Sequence, residues 1–60
     1  MIEDLSKYKL KEAKEIFEKN YLHFQINKFN KSISKTANFI GMDRTALYRK
    51  IKDLKIKTKN

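Results

Sequence analysis

An all-α fold, one long helix followed by two short ones, is what this 60-residue chain predicts, on three observations. Apolar residues recur at three- and four-residue spacings from Leu10 to Leu54, the period of a helix with one buried face. The chain holds no proline, so no helix is forced to break for want of an N–H. Its single glycine, Gly41, separates two periodic segments, and Asp43 follows as a helix opener.

The elements follow in order. Residues 1–8 form a poorly patterned leader in which Ile2, Leu5 and Tyr8 fit one helical turn and Ser6 is placed to cap what comes next. A long helix is predicted from about Lys9 to Phe29. At 100° per residue, Leu10, Ala13, Phe17, Tyr21 and Phe24 fall within about 80° of one another. A second stripe, Leu22, Ile26 and Phe29, lies roughly 100–150° further round and exists only in the C-terminal half. Glu12, Glu15 and Glu18 sit among lysines as on a solvated face, and Glu15 with Lys19 has the favourable i,i+4 order.

Asn30, Lys31 and Ser32 make the first turn, with Asn30 tolerant of the left-handed conformation and Ser32 a good N-cap. The second helix spans about Ile33 to Ile40. Ile33, Ala37 and Ile40 share a face, and Ala37 is small enough for a close crossing. Gly41 supplies the positive φ of the turn, Met42 plugs it and Asp43 caps the third helix, Arg44 to about Leu54. Leu47, Ile51 and Leu54 cluster within about 60° and face the core, flanked by Tyr48. Ile56 is expected to tuck under that core. The domain is thus residues 9–56, with 57–60 a basic tail.

The charge is uneven. Residues 1–30 hold six lysines against five acids, a balance of +1; residues 31–60 hold nine Lys/Arg against two aspartates, a balance of +7. Excess lysine of no consequence would spread evenly, so this concentration points to a surface that meets a polyanion. Other classes are disfavoured. With no cysteine and one histidine there is no disulfide and no zinc ligand set. No apolar run approaches the roughly 18–20 residues that span a membrane. His23 reads as a solvated surface residue, and no catalytic pair, metal site or cofactor site assembles around it.

Two short helices about a glycine turn, the second rich in cations, form a helix-turn-helix, whose second helix enters the major groove of duplex DNA. Arg44 and Arg49 can each offer two donors to guanine or clamp a phosphate. Thr45 and Ala46 suit a phosphate or a thymine methyl at close approach. Lys50, Lys52 and the Tyr48 hydroxyl read as phosphate contacts, as do Ser34 and Lys35 at the start of the second helix. Lys57 and Lys59 add non-specific attraction. The first stripe, Leu10, Ala13, Phe17, Tyr21 and Phe24, runs into the N-terminal half of the long helix. There so short a chain has little to cover it, so a homodimer interface is expected, against the alternative that it folds back on residues 2–8. A helical protein-interaction module without DNA would explain that ridge but leave the +7 half unexplained.

Leu10-Lys11-Glu12-Ala13, Phe17-Glu18 and Tyr21-Leu22, then Ser34-Lys35-Thr36-Ala37, Phe39-Ile40-Gly41-Met42, Arg44 and Leu47-Tyr48-Arg49-Lys50 resemble a known set. They are similar to the Fis-type, homeodomain-like helix-turn-helix at the C-terminus of NtrC-family bacterial response regulators. The run Gly41 to Leu47 resembles the NtrX branch. The resemblance implies a dimeric, cytoplasmic, nucleoid-associated domain that binds paired half-sites upstream of sigma-54 promoters. It also implies receiver and AAA+ domains earlier in a full-length two-component regulator; a free-standing Fis-like nucleoid protein is the near alternative. Two departures stand out. The family usually has glycine near Asn30-Lys31 and again at Lys55, so the end of the third helix is expected to fray or continue.

Overall fold

A computed structural model of the chain describes residues 4–57; Ile2 and Lys59 lie outside them. A 3-10 turn, Leu5–Lys7, leads into α1 (Leu10–Lys28), α2 (Ile33–Ile40) and α3 (Arg44–Asp53). The described residues contain helices and turns and no strand, the all-α architecture expected.

The N-terminal turn is closed by Asp4, whose Oδ1 accepts from the Ser6 hydroxyl at 2.7 Å and the Ser6 N–H at 3.1 Å. Those two bonds, the hydroxyl's first, hold the Asp4 carboxyl below its ordinary pKa. A depressed carboxylate stabilises only while ionised, so the turn weakens as pH falls through that lowered value. Ser6 therefore does not cap α1, because its side chain is engaged one turn too early. Lys9 occupies the N-cap, and the Glu12 carboxylate reaches back to accept its N–H at 3.3 Å. No ion pair joins Glu15 to Lys19 among the described residues, as expected where water competes for both ends of an exposed pair.

All three helices end on a left-handed residue. At α1 the Lys31 N–H donates to the Ile26 carbonyl (2.8 Å) and Asn30 to Asn27 (3.0 Å), with Asn30 and Lys31 both left-handed at φ 54° and 65°. At α2, Gly41 turns at φ 80° and Met42 donates to Ala37 (3.0 Å). At α3, Lys55 takes φ 56°, and Ile56 donates to Ile51 (3.0 Å) while Lys55 donates to Lys52 (3.2 Å). At α1 and α3 this is the Schellman pattern, two orphan carbonyls satisfied by a left-handed residue and its successor, whereas at α2 the Gly41 and Met42 N–H groups both donate to the Ala37 carbonyl. The third helix thus neither frays nor continues. Lys55 accepts about 1 kcal/mol or more of strain, and the bend swings Ile56 under the helices, where it is buried.

The core is small. Leu22 and Ile26 of α1, Ala37 of α2, Leu47 of α3 and Ile56 form it, with Ile33, Ile40, Met42, Ile51 and Leu54 packed around them. Leu47 has no exposed surface, worth about 1.5–3 kcal/mol for a side chain of its size. Buried Thr36 donates its hydroxyl to the Ser32 carbonyl at 2.8 Å, and the Ser32 hydroxyl accepts from the Lys35 N–H at 3.3 Å as the N-cap. Asp43 holds the N-cap position of α3 in extended backbone, but its side chain makes no capping bond. The exposed carboxylate stays in water, and α3 begins on the backbone bond from Leu47 N–H to the Asp43 carbonyl (2.9 Å).

Two stability measurements test this packing. Lys55→Gly is expected to raise unfolding free energy by about 0.5–1 kcal/mol in urea, since glycine takes the left-handed position freely; a loss of stability would contradict the Schellman ending. Leu47→Ala is expected to cost about 2–5 kcal/mol. A domain of this size rarely exceeds about 3–5 kcal/mol, so the variant should lose its cooperative thermal transition.

Candidate nucleic-acid interface

The interface follows from how α3 sits in the core. Leu47, Ile51 and Leu54 turn inward, so the opposite arc, about 180° away, carries Thr45, Arg49 and Lys52. All three are exposed. Arg44, also exposed, opens the helix, and its Nη1 donates to the Ser34 hydroxyl at 3.3 Å. That bond joins the first turns of α2 and α3, so Ser34, neighbouring exposed Lys35 and the start of α3 form one face. Tyr48 stands beside this face, 57 % exposed.

Two of the expected residues sit differently. Ala46 is half-buried and lines a groove between α3 and the N-terminal half of α1, with Arg49 at its edge. Lys50 turns into the same groove, where its Nζ lies 2.6 Å from Oε1 of Glu18. Glu18, assigned by the sequence to a solvated face, is therefore half-buried and engaged. The sequence pattern does not contain this pair, because its members lie 32 positions apart on different helices. The one available signal is angular: Glu18 falls about 40° from Leu22 on α1, at the edge of the core stripe.

The ridge of α1 is uncovered by the described chain. Leu10 is 80 % exposed, Phe24 65 % and Phe17 55 %; Phe17 stacks on Tyr21 with centroids 5.7 Å apart, and Ala13 is half-buried. Only Leu22, Gln25 and Ile26 of α1 are buried, so the helix contributes to the core from its C-terminal half alone. A second aromatic feature, unforeseen in the sequence, lies where α1 meets α2. Phe29 and Phe39 pack at 5.4 Å, with the Lys28 ammonium 4.6 Å from the Phe39 ring. His23 is exposed. Among the described residues no group of three His, Cys, Asp or Glu is placed to hold a metal, and no helix is long and apolar enough to cross a membrane.

The comparisons with known proteins agree with this geometry. The family model described as bacterial regulatory protein, Fis family, matches residues 14–54, from α1 through the end of α3. A putative response regulator NtrX-like protein of Rickettsia conorii is 49 % identical over 53 residues, 88 % of this chain and 11 % of that protein. The nitrogen assimilation regulatory protein NtrX of Azorhizobium caulinodans is 58 % identical over 45 residues, 75 % of this chain and 10 % of that protein. The NtrX-like protein of Rickettsia bellii is 47 % identical over 53 residues. The chain thus spans about a tenth of the length of the curated relatives it matches. It belongs to the Fis family of bacterial regulatory proteins, and α2, the Gly41 turn and α3 are its DNA-binding helix-turn-helix.

Proposed function

We propose that this domain binds duplex DNA sequence-specifically as the C-terminal part of an NtrX-like response regulator, with α3 in the major groove. The observation that carries the reading is the exposed arc of Thr45, Arg49 and Lys52 opposite fully buried Leu47. Packing fixes one side of α3, and the other is left cationic and free to approach bases. Arg44 and Arg49 read guanine edges or clamp phosphates, and Thr45 meets the groove floor, with Ala46 set back on the flank toward α1. Lys52, Tyr48, Ser34 and Lys35 face the backbone, whereas Lys50, expected among them, stays paired with Glu18 and is not counted as a contact.

Residues 9–56 act as the folded unit, with 1–8 a leader and 57–60 a basic tail. Two copies meet through Leu10, Ala13, Phe17, Tyr21 and Phe24, of which the described chain leaves all but half-buried Ala13 exposed. The pair sets two recognition helices about 34 Å apart, on paired half-sites in successive major grooves. In the whole regulator, receiver and AAA+ domains precede this one and act on sigma-54 polymerase at the bacterial nucleoid.

A mobility-shift assay on duplex at low salt tests the core of this reading; no shift at micromolar protein would leave α1's ridge as the working surface of a protein-interaction module. Binding should weaken steeply with salt, with a log–log slope of roughly −5 to −9 for six to ten phosphate contacts. Arg49→Ala is expected to cost about 1–3 kcal/mol on the specific site and less on random duplex; equal losses reduce Arg49 to a phosphate contact. Phe17→Asp should turn a sedimenting dimer into a monomer, and a monomer for both wild type and variant would remove the α1 interface.

A further inference from the structure

Among the described residues, Glu18 and Lys50 form the ion pair that joins α1 to α3. Their placement is unequal to that of the other α3 cations. Lys50 lies about 100° from Arg49 and 140° from Thr45 around α3, on the flank that turns toward α1. Its side chain is 42 % exposed and that of Glu18 26 %, so the pair is partly shielded from water and salt. Lys11, Lys14, Glu15, Arg49 and Asp53 line the same groove, but Glu18 is the carboxylate that holds the ammonium.

From this geometry we infer that Glu18 withholds Lys50 from the DNA phosphates. The inference rests on the duplex-binding reading above and adds a positioning residue to it, outside the helix-turn-helix. Thr45, Arg49 and Lys52 meet the duplex from one arc, while Lys50 stays turned toward α1 with its charge already answered. Glu18 thereby removes one phosphate contact from the count, and α1 sets how tightly and how salt-dependently the domain holds any duplex. Base readout is untouched, because Lys50 reaches no base edge from that flank.

The test is the salt slope of binding to a fluorescein-labelled random-sequence duplex, read by anisotropy for the wild-type chain and four variants. Lys50→Met should leave the wild-type slope unchanged. Glu18→Gln should steepen it by about 0.9, the increment for one new phosphate contact, and tighten binding at low salt. Glu18→Gln combined with Lys50→Met should return the slope to the wild-type value. Glu18→Ala, which removes the same charge by another side chain, should behave as Glu18→Gln, and thermal unfolding confirms that each variant is folded. A slope flattened by about 0.9 in Lys50→Met alone overturns the inference and leaves the DNA reading standing. Equal steepening by Glu18→Gln with or without Lys50 also overturns it, since charge removal alone would then suffice. Failure of the wild type to bind any duplex overturns both.

Discussion

Everything about this domain depends on the burial of one face of α3. Leu47 is enclosed completely, and Ile51, Leu54 and Ile56 close around the same cluster as Leu22, Ile26 and Ala37. A helix of ten residues is marginal on its own in water, so α3 owes its existence to that contact. The same contact decides which residues look outward. Cations on the far arc are presented because the apolar residues are not free to turn, and the reading surface is the complement of the core.

The ends of the helices do the rest of the positioning. Left-handed turns reverse the chain after α1, α2 and α3, the first and third closed by the Schellman pair of bonds. At Gly41 the left-handed residue is conformationally free, and Met42 then packs on the core. At Lys55 it is strained, yet the bond from Ile56 to Ile51 holds, because a buried isoleucine compensates for the strain of a lysine at positive φ. This is a small core using its last apolar residue, as a short chain without cysteine must.

The sequence carries most of this fold in its periodicity. The three helices fall within one residue of their expected bounds, and Ser32 and Gly41 cap as their chemistry requires. What it does not carry is whatever depends on meeting across elements. Lys55, where the resembling family has glycine, suggested an open end after α3, which tertiary burial of Ile56 closes. Asp43 has the right identity for a cap and the right position, but its carboxylate stays in solvent. Ser6 is drawn to Asp4 rather than to α1. The candidate interface shows the same division. Thr45, Arg49 and Lys52 were legible because helical spacing places them opposite a stripe of leucine and isoleucine, and Arg44 because it opens the helix after the Gly41 turn. The restraint on Lys50 by Glu18 and the Arg44–Ser34 bond were not, since no local pattern encodes a contact between helices.

The central claim is that the outward arc of α3, and not the ridge of α1, meets DNA. Titrating a short duplex into the 15N-labelled domain and following backbone amide shifts tests it residue by residue. The largest shifts are expected at Ser34, Lys35 and Arg44 to Arg49, with Leu10 to Phe24 nearly unmoved. Shifts concentrated on Leu10, Phe17 and Phe24, with the amides of α3 unchanged, would contradict it.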